Sequence, residues 1–189
     1  MWALVESNNI AEVFNSAKSL TIAGVQYPQN IFNIWTKSEL ETIGIYEVIY
    51  DRTNFKDKNY YINTNETLTF SSNKVTASWG TATAKSLDDS GSGENLVKGL
   101  KTIHKENVDN QAYGLLFPSD WMVVRKEEAG TAIPSDWTTF RTGVRTTADS
   151  MKTKIDAVSD VDALAALYVY NDADPPVRPL GEFPTPPSS

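Results

Sequence analysis

Two aspartates in this chain stand where a carboxylate could be tuned for proton transfer. The tetrapeptide Pro-Ser-Asp-Trp occurs at 118–121 and again at 134–137, so Asp120 and Asp136 each adjoin a tryptophan. Apolar bulk beside a carboxyl raises its pKa, and a pair tuned in this way could serve acid–base work on a glycan. Each aspartate also follows a serine at the start of a helical pattern. There serine is a good N-cap, aspartate suits the dipole of the first turn, and proline gives up no needed N–H. Capping is the reading adopted for Ser119 and Ser135, and no catalytic residue is expected.

The other chemistry-bearing residues are sparse. Arg141 and Arg145 lie one turn apart, interleaved with Phe140 and Val144. Like charges at that spacing repel, so they need partners. Either they clamp an external carboxylate or phosphate, or they form a fork anchoring their helix to Asp120, Glu127 or Glu128, with Arg145 also in reach of Asp149. His104 is the sole histidine and cysteine is absent, which removes thiolate sites and His-rich metal centres. Asp160-x-Asp162 and Asp172-x-Asp174 lack the glycine and terminal glutamate of a calcium loop, and Gly91-Ser92-Gly93 lacks the lysine of a phosphate loop. No metal and no cofactor are expected.

The elements that position these residues differ between the two halves of the 189-residue chain. Residues 1–86 carry 7 basic and 8 acidic side chains, and 87–189 carry 10 and 16, giving a net charge of -7 without a basic stripe. Nucleic acid is therefore not an expected partner. The opening MWALVESNNIAEVF has neither the charged start nor the apolar core of a signal peptide, and no run is long enough to span a bilayer. No membrane association is expected, and the protein is expected to be soluble where it is made.

Short runs rich in β-branched and aromatic residues, separated by Ser-Asn, Ala-Gly and Asp/Asn/Ser turns, predict a small antiparallel β-rich module over 1–86, arranged as a meander. Within it, Gln29–Gly44 predicts one or two short helices with a capping box from Ser38 to Glu41 and a stop at Gly44. Trp35 and Leu40 are expected in its core. Residues 87–93 read as a flexible linker. From 94 to 171 the period becomes helical, with a bend or frayed turn expected near 107–110 and a further short helix, Val161–Tyr168, opened by Ser159 and Asp162. Trp137, Phe140, Val144, Ala148, Met151, Ile155 and Val158 form a seam through which the 137–158 helix could pair with other copies. Six of nine prolines fall in the last segment, 172–189, which predicts an extended arm lying on a neighbouring surface. The fold class expected is thus α+β.

The stretch AYGLLFPSDWMVVRKEEAGTAIPSDWTTFRTGVR, residues 112–145, resembles the C-terminal region of bacteriophage tail-fibre assembly proteins and the related tail assembly chaperones. The matching positions are Leu115-Leu116, Ser119-Asp120-Trp121, Phe140-Arg141 and Arg145. IFNIWTKSELETIGIYEV and YYINTN are similar to small β-rich modules of marine-phage tail proteins. The chain departs from the family in its Val- and charge-rich 122–133 linker, its long seam and its Pro-rich arm, which suit a protein that stays in an assembly. The resemblance implies a non-enzymatic structural protein of the virion tail, associated with fibre or baseplate proteins, or alternatively a transient fibre-assembly chaperone. On this reading Trp121, Trp137 and Phe140 lock the helical domain, Arg141 and Arg145 fix its angle, and Tyr168, Tyr170, Arg178 and Phe183 meet a partner.

Overall fold

The computed structural model describes residues 1–187. The chain divides into two compact units, Met1–Thr83 and the residues from Ala84 onward. The first is β-rich and the second helical, as the change of sequence period predicts.

In the first unit β1 (Trp2–Glu6) and β2 (Asn9–Phe14) form a hairpin whose turn residues Ser7 and Asn8 both have positive φ, at 50° and 62°. That geometry matches the twist of antiparallel strands and tolerates asparagine. The hairpin of β3 (Leu20–Ile22) and β4 (Val25–Tyr27) turns the same way through Ala23-Gly24. Helices α1 (Ile31–Ile34) and α2 (Lys37–Thr42) follow. The capping box of α2 lies two residues before the expected one: Thr36 accepts from the Glu39 amide, and the Glu39 carboxylate accepts from the Thr36 amide at 2.7 Å. The Thr36 amide, and after it the Thr36 hydroxyl, donate to the carboxylate and hold the Glu39 pKa below its ordinary value.

Five strands make the main sheet, in the order β2-β1-β5-β8-β7, with β5 at Ile45–Asp51, β7 at Thr67–Ser71 and β8 at Lys74–Ser78. The expected antiparallel meander is corrected here: β5 and β8 are parallel, pairing Val48 with Val75 and Tyr50 with Ala77. A parallel pair cannot be joined by a tight turn. The chain therefore leaves β5, makes an excursion through 52–66 that includes β6 (Tyr61–Ile62), and returns as the β7–β8 hairpin through Ser72-Asn73. The short β9 (Thr83–Ala84) pairs with β6 at the end of this unit.

Alternation along the strands feeds two small cores. Leu4, Phe14, Leu20, Ile31, Leu40 and Ile45 are buried with Trp2, Phe32 and Trp35 packed on them. Ala3, Val48, Val75 and Ala77 are buried with Tyr46 and Phe70. Edge-to-face pairs of Phe32 with Trp2 (5.2 Å) and Phe14 (5.8 Å) tie α1 to the first hairpin.

The second unit opens with a tied loop in place of the expected flexible linker. Ser90 and Val97 exchange backbone hydrogen bonds, Ser86 and Leu87 accept from the Leu100 and Lys101 amides, and Asp89 accepts from the Gly99 amide at 2.7 Å. These acceptors satisfy amides at the start of α3 (Leu100–Leu116), which would otherwise lack partners. Helix α3 is continuous through 107–110, with no frayed turn there, and leads into a 3-10 turn at Phe117–Ser119 and α4 (Asp120–Ala129). Gly130 ends α4 in the left-handed conformation. Helix α5 (Ser135–Asp156) packs against α3, and α6 (Val161–Ala166) is capped by Asp160, not Ser159, and is shorter than expected.

Gly44 and Gly24 give a paired test of this fold. Both have positive φ, but an added Cβ at Gly44 meets the Val5 carbonyl oxygen at 2.6 Å, and at Gly24 it meets nothing within 4 Å. Gly24→Ala is expected to destabilise by about 1 kcal/mol from backbone strain, and Gly44→Ala by about 3 kcal/mol. Urea unfolding midpoints of the two variants measure the difference.

Candidate functional site

The helical unit is organised by a buried cation. Arg141 lies on α5 beside the apolar stripe Phe140, Val144, Ala148, Met151 and Ile155, and is only 5% exposed. Its Nη1 donates to the Leu116 carbonyl at 3.0 Å and to Ser119 Oγ at 2.5 Å, and its Nη2 donates to Asp120 Oδ1 at 2.8 Å. Leu116 is the last residue of α3, so its carbonyl has no partner inside that helix. Ser119 Oγ donates to the same carbonyl at 2.8 Å and is itself fully buried. One guanidinium thus joins the end of α3, the 3-10 turn and the start of α4 to α5. Ion pairs of Lys152 with Asp109 (2.9 Å) and Lys105 with Asp156 (2.7 Å) continue the α3–α5 contact and show the helices antiparallel.

The two Pro-Ser-Asp-Trp copies have different local structures: Ser119 stands at the expected N-cap position of α4 but makes no side-chain capping bond, and Ser135 is not the N-cap of α5. Ser119 bonds back to Leu116, as above. In the second copy Pro134 occupies the cap position with extended backbone, Ser135 is already helical, and Asp136 accepts from the adjacent Trp137 amide at 3.0 Å. Trp137 is half-buried, edge-on to Phe140 at 5.7 Å. Trp121, expected in the core, is 53% exposed and carries the Arg125 guanidinium over its ring at 4.7 Å. The Arg125 Nε is buried without a hydrogen-bond partner among the described residues. The fork expected of the two arginines is realised by Arg141 alone. Arg145 is exposed and reaches the Arg141 carbonyl at 3.5 Å, while Asp149 pairs with Lys152.

Phe140, Val144, Ala148, Met151 and Ile155 of the α5 seam are buried within the unit, and Trp137 and Val158 at its ends are half-buried. What is displayed was singled out in the sequence only at Trp121: Tyr113, Phe117, Trp121 and Val124 recur at steps of four, four and three along α3, the 3-10 turn and α4, and all are more than half exposed. Tyr113 and Phe117 touch, with ring centroids 5.5 Å apart. The signal for this stripe is its helical spacing on a segment whose other stripe, Val108, Ala112 and Met122, already supplies the buried face.

A second cluster joins the last segment to the helices. Tyr168 Oη lies 2.6 Å from His104 Nδ1, Tyr170 donates to Glu182 at 2.5 Å, and Arg178 pairs with Glu182 while stacking over Tyr168 and Tyr170. Leu180 is 3% exposed, and the Lys154 ammonium donates to the carbonyls of Pro179 and Leu180 at 2.8 and 3.1 Å. Pro184 lies against Gly143. Residues 178–184 of the expected extended arm, Phe183 among them, lie in a segment bonded to its own domain, and residues 188–189 lie outside the described ones. A cleft of about 300 Å³ beside His104 is lined by Asn107, Gln111, Met151, Tyr168 and Arg178.

Among the described residues no group of three His, Asp or Glu side chains is placed to hold a metal ion, and no helix is long and apolar enough to cross a membrane. Comparison with known protein families, with curated proteins and with solved structures yields no match.

The hub predicts unequal responses from its two charges. Arg141→Met removes the charged donor shared by the Leu116 carbonyl and the Ser119 hydroxyl, leaving only their mutual bond, and is expected to destabilise by about 3 kcal/mol, whereas Asp120→Asn, whose side chain is half exposed, is expected to cost about 1 kcal/mol. Equal losses in urea melts would contradict the arrangement.

A further test uses His104, whose pKa burial lowers from its ordinary 6.5. With the folded pKa below the unfolded one, the unfolded chain takes up the proton first. The stability tied to neutral His104 is present above about pH 6.5 and is lost as pH falls toward the folded pKa. Unfolding midpoints measured across this window should fall more steeply for the wild type than for His104→Asn.

Proposed function

We propose that this chain is a structural protein of a bacteriophage tail, associated with the fibre or baseplate, that works by docking to other tail proteins. The observation that carries the reading is the exposed aromatic stripe Tyr113, Phe117 and Trp121, which falls inside or directly beside the residues that resemble tail-fibre assembly proteins. Rigid aromatics anchor protein interfaces because they bring large apolar area at a small entropic cost. Displaying three of them at four-residue steps, with Val124, makes a patch of the kind that marks an interaction surface. Arg125 over Trp121 adds a cation at its edge, where a partner carboxylate could pair with it.

The fixed parts of the domain support this role. Arg141 holds the turn from which α4 departs, so the stripe is presented on a rigid frame. The Arg178–Glu182–Tyr170 cluster holds the final segment on the same domain and leaves Val169, Tyr170 and Val177 around an open apolar groove of about 440 Å³. In this reading Asp120 and Asp136 serve local structure.

Mass spectrometry of purified particles tests the assignment. The chain is expected in the particle at stoichiometric yield, and a transient chaperone would instead copurify with soluble fibre and be missing from it. Phe117→Ala with Trp121→Ala is expected to change stability by only about 0.5 kcal/mol per site, as for exposed positions, and to lower incorporation strongly. Unchanged incorporation of the folded variant would remove the stripe from the interface.

A further inference from the structure

The excursion between β5 and β7 builds a cleft that the docking role does not use. Its walls are Phe55 and Tyr61 from the excursion, Trp79 just after β8, and the polar residues Lys58, Asn65 and Glu66, around about 440 Å³. That volume is within the usual range for small-molecule sites. We propose that this cleft binds a neutral saccharide, with a sugar ring laid against the Trp79–Phe55–Tyr61 surface and its hydroxyls bonded to Asn65, Glu66 and Lys58.

The aromatic side of the cleft is assembled with fixed geometry. Trp79 meets Phe55 edge-on at 5.0 Å and lies near-parallel to Tyr50 at 6.2 Å. The backbone beneath it is pinned by side chains. Asn54 Nδ2 donates to the Trp79 carbonyl at 3.0 Å, and Asn63 both accepts from the Lys56 amide at 2.9 Å and donates to its carbonyl at 2.8 Å. Thr64 Oγ1 accepts from the Gly80 amide at 2.7 Å, and Asp51 and Asp57 each close a turn onto the residue two ahead. A loop ordered by its own hydrogen bonds before a ligand arrives loses little further entropy on binding.

The polar side is a different population. Asn63 and Thr64 are engaged in holding the loop, whereas the exposed side chains of Asn65 and Glu66 make no hydrogen bond among the described residues. Together with the ammonium of Lys58, which lies over the Phe55 ring at 5.6 Å, they offer an amide, an acceptor and a donor at the rim of an apolar wall. A pyranose has the complementary surface: a face of C–H bonds that suits an aromatic ring, edged by hydroxyls that both donate and accept.

Charge selects against anions. Residues 50–66 hold three basic side chains, Arg52, Lys56 and Lys58, and three acidic ones, Asp51, Asp57 and Glu66. The three cations each lie over an aromatic ring, Arg52 over Tyr50, Lys56 over Tyr61 and Lys58 over Phe55. Phosphate-bearing ligands need an excess of positive charge, which this cleft does not have.

The test is titration of the full-length chain with methyl glycosides and disaccharides of glucose, galactose, mannose and N-acetylglucosamine, followed by the indole N–H resonances. At least one probe should shift the Trp79 resonance saturably at millimolar concentration, leaving Trp121 and Trp137 unmoved. Asn65→Ala with Glu66→Gln, both at exposed positions, should keep the melting temperature and weaken that binding roughly tenfold or more, the loss expected for two hydrogen bonds. The proposal is overturned if no probe moves Trp79 at tens of millimolar, if the double variant binds as well as the wild type, or if inorganic phosphate or an oligothymidine shifts Trp79 and the sugars do not.

Discussion

The helical unit depends on burying Arg141 with all its charge satisfied. Moving a guanidinium out of water is costly enough that it persists inside a domain only with good partners. Here those partners are a helix-terminal carbonyl, a buried serine hydroxyl and a half-exposed carboxylate, all from one stretch of five residues, Leu116–Asp120. A helix terminus is rich in unpaired carbonyls, so the end of α3 is a natural seat for a cation. The seat also fixes where the chain turns. With Ser119 and Asp120 directed inward to Arg141, the next residue, Trp121, is directed out, and the exposed stripe follows from that choice. Ion pairs elsewhere along α3 and α5 are largely at the surface and add little by comparison.

The β-rich unit follows a different constraint. Placing β8 between β5 and β7 buries the Val48–Val75 pairing in the middle of the sheet, at the cost of a long connection from β5. Long connections need their own ordering interactions or they fray. The asparagines and threonines of 52–66 supply them, and the aromatic residues that cover this loop line the cleft assigned to a saccharide.

What was legible in the sequence was local. Ser7-Asn8 and Ala23-Gly24 announced hairpins because the positive φ needed in such turns is open to few residue types. The α5 seam was visible because 3.6-residue periodicity over 22 residues has few alternatives. Where two local signals competed, the sequence did not choose. Thr36-x-x-Glu39 and Ser38-x-x-Glu41 are both capping boxes, and the helix start at Lys37 selects the first. The parallel β5–β8 pair was hidden because alternation reports which face is buried and not which strand lies alongside. Pro-Ser-Asp-Trp was read as a serine N-cap in both places, and the outcome differs: Ser119 keeps the position without the capping bond, and Ser135 does not. At 118–121 Arg141 took the serine and the aspartate. At 134–137 the proline itself took the cap position.

The Pro-rich segment shows the same limit from the other direction. Proline content excluded helix and strand, but it was silent on whether Leu180 would be buried or where Arg178 would stack. Those contacts depend on Lys154, Tyr168 and Tyr170, which are up to 26 residues away in sequence. The central claim remains that a buried cation couples α5 to the turn that displays the aromatic stripe. A double-mutant cycle of Arg141→Met with Ser119→Ala, read as unfolding free energy, measures that coupling. The account predicts an interaction energy of about 1 to 2 kcal/mol, as for contacting residues in one buried network. Strict additivity of the two substitutions would contradict it.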